Sequence, residues 1–290
     1  MNRYELAGRT VVITGSTGGL GSALAQALRD RGANLALLDL DENRTTEQAA
    51  HLGSLSVARG WHADVRDLAS VQDAIDAAAE HFGRIDIVIA NAGVGSMAPL
   101  ETLAPEVYER VIDINLNGTW RTFRAAMPHV KRTGGYLLAI SSMAAFVHSP
   151  LSGPYVASKA GVWALCDATR LEVRHYGVAV GSAHPTFFKT AMMDEVQDDA
   201  AGSIVWGGNK RGLWKMITLD EVVSAALDGI SRRAPLIVAP RTNSLFARVP
   251  GIIRPLVERV GFPGRTIPDA IAAVGGDGWI SDRDDKPTRG

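Results

Sequence analysis

Cysteine is almost absent from this chain of 290 residues, in which Cys166 is the single example. One cysteine excludes an intrachain disulfide, and no cysteine and histidine residues have zinc-site spacing, so we predict no bound metal. The first eight residues lack the apolar segment of a signal peptide, and nowhere do about 18 apolar residues follow one another. We therefore expect a protein of the reducing cytoplasm.

An excess of one charge is also missing. The chain has 30 basic and 31 acidic residues, which give a formal net charge of -1, and no long run of like charge offers a site for a polyanion. We therefore expect no nucleic-acid partner. Apolar residues are plentiful, at 46% of the chain against 21% charged, which is enough for a compact core.

Glycine is concentrated directly after an apolar run from Thr10 to Thr14. That run predicts a strand, and the helical pattern towards Arg31 predicts a helix, with the glycines at the turn between them. Such a turn lets the backbone approach a ligand, and the helix N-terminus offers unpaired N–H groups to a pyrophosphate. An ordinary turn would also fit these glycines. The predicted cofactor-binding residues of the turn are Gly15, Ser16, Thr17, Gly19, Leu20 and Gly21.

An acidic residue, Asp39, ends the second predicted strand (35–38). A carboxylate at this position binds a ribose 2′-hydroxyl and repels a 2′-phosphate, and Leu40 supplies no compensating cation. The sequence therefore predicts NAD as the cofactor and disfavours NADP. The alternative is a solvated loop carboxylate, because further acidic residues follow.

Strands and helices alternate through residues 1–239. Apolar residues at helical spacing between Leu68 and Phe82 separate strands predicted at 55–62 and 85–90, and further strands are predicted at 136–140, 178–183 and 236–239. This alternation predicts an α/β fold with a doubly wound parallel sheet (Rossmann-like) in a single domain, with ligands at the carboxyl ends of the strands. Candidate residues near those ends are Asp64, Val65, Asn91, Gly93, Ser142 and Pro185. The Asn91-Ala-Gly93 triplet alone fits a plain turn equally well.

Tyr155 and Lys159 are spaced by one turn of a predicted helix, so a phenol and an ammonium group share a face. A cation within about 4–6 Å lowers the pKa of a tyrosine towards neutrality, where a proton-transfer group works best. We predict that Tyr155 is the acid/base and that Lys159 lowers its pKa, although an exposed polar face would show the same spacing. Asn115, inside another predicted helix, either has a special task or faces water.

The regular alternation stops after residue 185. Residues 186–217 combine glycines with large apolar side chains, which favours a loop covering an apolar substrate: Phe187, Phe188, Met192, Met193, Trp206, Trp214 and Met216. A C-terminal extension follows at 240–290, and Pro250 and Pro255 should prevent one continuous helix there. From Gly275 onwards we expect a polar, frayed terminus. The arginines and apolar residues between 245 and 259 of the extension would suit a membrane surface, but we favour packing over the substrate loop or against another subunit.

Taken together, these residues resemble the short-chain dehydrogenase/reductase family over roughly Leu6 to Ala239. The family's glycine loop, Asn-Ala-Gly turn and Tyr-x-x-x-Lys motif occur in the family's order. The resemblance implies that Asp39 binds the ribose and Asp64 the adenine. It also implies an active-site set of Asn115, Ser142, Tyr155 and Lys159, and a dimer or tetramer.

The resemblance also implies roles. Tyr155 takes the hydroxyl proton of an alcohol while a hydride passes to the nicotinamide ring, and Lys159 lowers the tyrosine's pKa and binds the ribose. Ser142 polarises the substrate oxygen, and Asn115 holds a water. The chain departs from the family at Thr186, where the family has glycine after the proline. The side chain of Thr186 would narrow the pocket or shift the following loop, in which Thr190 occupies the position that contacts the nicotinamide amide in the family.

The sequence thus predicts an NAD(H)-dependent oxidoreductase of a hydrophobic secondary alcohol or ketone. An NADP-dependent carbonyl reductase is a second enzyme hypothesis, distinguished by Asp39. A non-catalytic dinucleotide sensor is a third and is disfavoured, since the complete Tyr/Lys set is present. Fold alone does not prove activity.

Overall fold

Apolar runs form the strands of a seven-stranded sheet in the computed structural model, which describes residues 4–206, 215–262, 264–274 and 279–281. The strands in chain order are β1 (Thr10–Thr14), β2 (Asn34–Asp39), β3 (Ala58–His62), β4 (Ile87–Ala90), β5 (Ser96–Met97), β6 (Tyr136–Ile140), β7 (Ala179–Pro185), β8 (Leu236–Ala239) and β9 (Trp279–Ile280). The large sheet has the order β3-β2-β1-β4-β6-β7-β8, and every pair in it is parallel. The predicted doubly wound parallel sheet is therefore confirmed.

Helices cover both faces of this sheet. They are α1 (Gly19–Arg29), α2 (Glu42–Leu52), α3 (Leu68–Phe82), α4 (Pro105–Ile112), α5 (Gly118–Thr133), α6 (Gly153–Val173), α7 (Ala191–Asp198), α8 (Ala200–Trp206), α9 (Leu219–Arg232), α10 (Ser244–Arg248), α11 (Pro250–Gly261) and α12 (Thr266–Ala273). Among the described residues, no helix is both long and apolar enough to cross a membrane.

Successive residues of each strand supply opposite cores, because side chains alternate across a sheet. Val11 and Ile13 pack with the core that includes α1 and α9, and Val12 packs with the core of α3, α5 and α6. All three side chains are fully buried. A parallel sheet covered on both faces explains why its strands read as unbroken apolar runs.

The helix starts follow local chemistry. Asp41 caps α2 by accepting from the backbone N–H groups of Asn43 and Arg44, and Thr218 and Glu221 form the predicted capping box of α9. These caps satisfy N–H groups that have no partner within the helix. They fix where each helix leaves the carboxyl edge of the sheet.

Three expectations need correction. β3 begins at Ala58 instead of Leu55, because residues 54–57 form a turn in which Val57 N–H donates to the Ser54 carbonyl. Pro250 does separate α10 from α11, but α11 continues through Pro255; the proline removes one hydrogen bond yet its fixed φ suits a helix. The end of the chain is not wholly frayed, since β9 pairs antiparallel with β5.

The extension lies over the substrate loop, as predicted. Ala270 of α12 is fully buried in a cluster with Ala201, Val205 and Trp206 of α8, and Phe262 packs edge-on against Trp206. Trp214, predicted as part of the substrate loop, lies outside the described residues. Within this loop, two short helices, α7 and α8, replace part of the expected irregular segment.

Candidate active site

The glycine turn between β1 and α1 leaves space for a ligand on one side only. Gly15 has φ 63° and would place a Cβ 2.8 Å from the Cα of Ala92, while a Cβ on Gly21 would overlap the Gly15 carbonyl oxygen. Side chains are therefore excluded where the turn packs on itself. Gly19, the first residue of α1, would have no atom nearer to its Cβ than 3.9 Å. An open helix N-terminus of this kind fits a pyrophosphate.

Asp39 is held in place at the end of β2. One carboxylate oxygen accepts from Thr17 N (2.9 Å) and Thr17 Oγ1 (2.7 Å), and the other accepts from Leu40 N (2.9 Å). The carboxylate thus joins the glycine turn to β2 and lines the cavity. Leu40 supplies no cation, as the sequence indicates, but Arg44 on α2, which was not considered, reaches the Thr17 carbonyl at 3.5 Å and also lines the cavity.

Asp64 is paired with a residue that the sequence analysis missed. Arg66 contacts both carboxylate oxygens through its side chain at 2.8–3.1 Å, and both residues line the cavity. Partial burial opposes ionisation, but the hydrogen bonds from the side chain and backbone of Arg66 outweigh it and lower the pKa of Asp64. This part of the cavity therefore carries an ionised carboxylate that is already partnered.

One cavity of about 420 Å³ collects nearly all of the predicted residues. Those that line it are Gly15, Thr17, Gly19, Leu20, Gly21, Asp39, Asp64, Val65, Asn91, Gly93, Ser142, Tyr155, Lys159, Pro185 and Thr190. Ser16 does not line it; this residue is fully buried behind the turn, where its carbonyl accepts from Gln48 Nε2 at 2.8 Å. Asn115 is also behind the wall, at 1% exposure.

Asn91 fixes the turn from the end of β4. Its side-chain Nδ2 donates to the carbonyls of Thr14 (3.1 Å) and Gly15 (2.9 Å), and its backbone N–H donates to Thr14 Oγ1 (3.1 Å). The Asn-Ala-Gly triplet is therefore not a plain turn. It braces the glycine turn against the neighbouring strand.

Ser142 and Tyr155 meet in the same cavity. Ser142 follows β6 and caps a short helical turn, its Oγ accepting from Ala144 N at 3.1 Å. The Tyr155 hydroxyl lies close enough to Ser142 for the serine side chain to affect its pKa. Lys159 lies one turn further along α6, and its Nζ is 5.5 Å from the ring centroid of Tyr155. The structure thus brings together the three side chains that the sequence pattern predicted as a unit.

The electrostatics of this trio differ from the expectation. Burial raises the pKa of Tyr155, and the hydrogen bond with Ser142 opposes that rise without cancelling it. Burial also lowers the pKa of Lys159 to about 8, and Lys159 Nζ donates to the Ile140 carbonyl at 3.0 Å. In the protein alone, desolvation outweighs the attraction that Lys159 was predicted to supply.

Asn115 has a different environment from the predicted one. It lies in a π-helical turn (Asp113–Asn117) between α4 and α5. Its Oδ1 accepts from Val94 N (2.8 Å), and its Nδ2 donates to the Val94 carbonyl (2.9 Å) and Ser158 Oγ (3.0 Å). Both amide protons are therefore used. Oδ1 keeps one lone pair, so the predicted water-holding role stays a prediction.

Three further polar residues support the trio and were missed. Ser141, which follows β6, ties that strand to α6, because its Oγ donates to the Lys159 carbonyl (2.8 Å). Within α6, Ser158 Oγ donates to the Tyr155 carbonyl (2.7 Å). His184 on β7 is fully buried, and its Nδ1 donates to the Ser142 carbonyl at 3.0 Å. The position of His184 beside Pro185, at a strand end, was the available signal.

The substrate side of the cavity is mostly apolar. Its lining includes Phe187, Phe188, Met192, Met193 and Trp206, with Thr186 among them. Thr190 caps α7, its Oγ1 accepting from Met193 N at 3.1 Å. The loop predicted to cover an apolar ligand therefore does line the cavity beside Ser142 and Tyr155.

Comparison with known proteins decides the family. Residues 9–201 match the family model described as short chain dehydrogenase. The chain belongs to the short chain dehydrogenase family. It is thereby an oxidoreductase that acts on hydroxyl or keto groups with a nicotinamide cofactor, as the resemblance implied.

Relatives of this short chain dehydrogenase differ in what their names say they act on. The D-beta-hydroxybutyrate dehydrogenase of Rhizobium meliloti is 34% identical, over 74% of this chain and 82% of the relative. The trans-4-hydroxycyclohexanecarboxylate dehydrogenase of Sinomonas cyclohexanicum is 32% identical, over 65% of this chain and 75% of the relative. A short chain dehydrogenase/reductase from Burkholderia phymatum, solved in complex with NAD, has a TM-score of 0.76 over 87% of this chain and 96% of its own, at 24% identity. That last likeness concerns the fold.

Proposed function

We propose that this protein interconverts an apolar secondary alcohol and its ketone, with NAD(H) as the cofactor and Tyr155 as the acid/base. The observation that carries the proposal is the position of the Ser142 and Tyr155 side chains. They lie in one cavity between the glycine turn and the apolar wall of α7 and α8. A substrate oxygen that reaches both hydroxyls would have its carbon skeleton against that wall.

The residues of the glycine turn would hold the cofactor's pyrophosphate, Asp39 its ribose hydroxyls, and Asp64 with Val65 its adenine. When bound, NAD(H) supplies the site with hydride transfer to or from carbon. Two observations support the fit of a pyrophosphate to this turn: the open N-terminus of α1, and the glycines at which a Cβ would overlap the backbone. NAD is favoured over NADP because the Asp39 carboxylate would lie beside a 2′-phosphate.

The side chains of this chain would then handle the proton. In ketone reduction, the Tyr155 hydroxyl donates its proton to the developing alkoxide while the Ser142 hydroxyl donates a hydrogen bond to the same oxygen. In alcohol oxidation, Tyr155 as phenolate takes the hydroxyl proton. Lys159, held by the Ile140 carbonyl, would bind the ribose and favour the phenolate, and the His184 contact keeps the Ser142 backbone in place.

Replacing Tyr155 tests the mechanism. In Tyr155→Phe, turnover of any active alcohol should fall at least about 100-fold, because a positioned proton donor typically contributes that much. Affinity for NADH, measured by fluorescence titration, should stay similar. Tyr176→Phe, which removes an exposed hydroxyl, is the matched control. A Tyr155→Phe protein with wild-type turnover would remove Tyr155 from the mechanism.

A panel of ketones tests the substrate class. Cyclic and long-chain apolar ketones should be reduced with NADH, whereas sugars and polyols should not, because the wall beside Ser142 is largely apolar. Turnover confined to sugars or polyols would contradict the apolar assignment and leave the reaction class standing.

Cofactor choice separates this proposal from an NADP-dependent carbonyl reductase. Arg44 is the observation that favours the alternative, since it brings a cation to the same end of the cavity. We expect NADPH to bind at least about tenfold more weakly than NADH, a difference of about 1.4 kcal/mol, and Asp39→Asn to narrow the gap. Tighter binding of NADPH that is lost in Arg44→Ala would establish the alternative.

We also propose that the protein is a homodimer or homotetramer. Three neighbouring helices of the described chain carry large exposed apolar side chains, Tyr108 on α4, Trp120 on α5 and Leu171 on α6. Exposed apolar surface of this kind favours association. Light scattering during gel filtration should give a mass of two or four chains; a monomer at micromolar concentration would refute it. Cytoplasmic action stays a prediction from the sequence.

A further inference from the structure

The C-terminal strand reaches the cavity from far along the chain. β9 pairs antiparallel with β5, with Ile280 opposite Ser96, and the next residue, Ser281, lines the cavity. The match to the family model ends at residue 201. This part of the cavity therefore comes from the extension.

Ser281 holds the backbone of one residue from both sides. Its N–H donates to the Gly95 carbonyl at 2.8 Å, its Oγ accepts from Gly95 N–H at 2.6 Å, and its hydroxyl reaches back to the Gly95 carbonyl at 3.3 Å. Both backbone polar groups of Gly95 are thus satisfied by a residue 186 positions later. Loop backbone fixed at both groups has little freedom to move away from the cavity.

Val94, the residue before Gly95, is also fixed at both of its backbone polar groups, in this case by Asn115. Val94 exchanges two hydrogen bonds with the Asn115 amide, and Gly93 before it would place a Cβ 3.3 Å from Lys159 Nζ. Ser281 therefore extends a rigid segment that begins beside Lys159. The extension is joined to the reacting end of the cavity through two consecutive clamped residues.

The space at Gly95 shows what faces this segment. A Cβ built on Gly95 would lie 3.3 Å from Met192 Sδ and 3.4 Å from Ser281 Oγ. Met192 belongs to α7 of the substrate loop, so the loop and the C-terminal strand approach each other across Gly95. The extension is also anchored before β9, because Ala270 of α12 is buried against α8.

We propose that β9 and Ser281 form a fixed wall of the substrate pocket and that Ser281 is a specificity-determining residue. Together with Met192, which lies against Gly95, it bounds one side of the pocket and so limits the width of the apolar ketone. This inference rests on the proposed function, because it assigns the substrate end of that same site. Ser281 acts by positioning Gly95 and has no part in the proton transfer.

The kinetic test compares a narrow ketone, cyclohexanone, with a wide one, 1-decalone, both with NADH and full-length protein. Ser281→Ala removes the Oγ contacts to Gly95 and an oxygen atom from the wall, and it keeps the backbone bond from Ser281 N–H to the Gly95 carbonyl. In this variant the ratio of kcat/KM for decalone to that for cyclohexanone should rise at least about fivefold. In Gly95→Ala, whose Cβ would press on Met192 Sδ and displace this side chain into the pocket, the ratio should fall. The change should appear mainly in KM, with NADH affinity unaltered. Ser203→Ala, an exposed serine on α8, should keep the wild-type ratio.

A thiol-labelling test works without turnover. The natural Cys166 is buried, and burial raises the pKa of its thiol to about 12, so it gives little background reaction. In Ser281→Cys saturated with NADH, 1-decalone should slow the reaction of the new thiol with a disulfide reagent several-fold. It should leave Ser203→Cys unaffected.

The two tests separate the wall from the proposed function. Slowed labelling of Ser281→Cys by decalone, in a protein that reduces neither ketone, supports the wall and refutes the proposed function. The opposite result has three parts: the wild type reduces both ketones, Ser281→Ala and Gly95→Ala keep the wild-type ratio, and decalone leaves the labelling of Ser281→Cys unaltered. It would refute the role of Ser281 in the wall and leave the proposed function standing.

Discussion

Acid should destabilise the folded protein through His184. The imidazole is fully buried on β7. Nδ1 donates to the Ser142 carbonyl (3.0 Å), because a carbonyl can only accept. In the neutral ring Nε2 is then unprotonated and accepts from Ser182 Oγ (2.8 Å). The ring also packs 4.5 Å from that of Phe146. Burial lowers the pKa of His184 to about 4; the Ser142 contact opposes this and the charge on Lys159 adds to it. The fold therefore holds His184 neutral well below neutral pH.

The size of the effect follows from the two pKa values. An unfolded chain binds a proton at His184 near pH 6.5, whereas the folded protein does so only near pH 4. Stability is therefore lost as the pH falls through this window, because the unfolded state binds more protons. The complete shift corresponds to about 3 kcal/mol, of which about 2 kcal/mol should be lost between pH 7 and pH 4.5.

Urea unfolding of the wild type and of His184→Asn, followed by tryptophan fluorescence, measures this loss. Asparagine keeps a donor and an acceptor but does not titrate. The variant should be less stable than the wild type at pH 7, yet its free energy of unfolding should fall by about 2 kcal/mol less between pH 7 and pH 4.5. Other ionisable groups titrate in both proteins and cancel in the comparison. His51→Asn, at an exposed site on α2, should retain the wild-type dependence. Parallel stability curves for the wild type and His184→Asn would refute the reasoning.

Two further substitutions test the turn and the core. Gly21→Ala should weaken NADH binding at least about tenfold, because its Cβ overlaps the Gly15 carbonyl oxygen and the turn must shift. Gly251→Ala, with open space around it, is the control. Equal NADH affinities of Gly21→Ala and the wild type in a fluorescence titration would count against this explanation of the turn. Tyr136→Phe should reduce the free energy of unfolding in urea by about 1–2 kcal/mol, since the buried hydroxyl donates to the Ala234 carbonyl at 2.7 Å; an unchanged midpoint would contradict this.

The sheet and most of the cavity could be predicted from the sequence because the relevant signals are local. A strand buried on both faces reads as an apolar run, as at 136–140, and a ligand-binding turn needs glycine at particular positions. Strand ends in a parallel sheet share one edge, so Asp39, Asn91 and Ser142 were expected together. Local signals were weaker for boundaries, as at the start of β3, where a turn replaced the first residues of an apolar segment.

Residues that act through long-range contacts gave no such signal. Ser281 lies 186 positions from Gly95, and nothing in a polar C-terminus predicts which backbone it holds. Arg44 was missed because only the path of α2 brings it back to Thr17. The contacts of Asn115 with the Val94 backbone also join residues 21 positions apart.

The pKa of Tyr155 shows why spacing alone was insufficient. One helical turn fixes the proximity of Tyr155 and Lys159, but the cost of burial depends on everything packed around them. Desolvation disfavours the charged form of both groups, so it raises the pKa of the phenol and lowers that of the amine to about 8. In the protein alone, Tyr155 is therefore suited to donate a proton, the role that ketone reduction requires. For Tyr155 to act as a base, a ligand must bring positive charge or hydrogen-bond donors into the cavity, whereas a neutral ligand that only excludes water would raise the pKa of Tyr155 further.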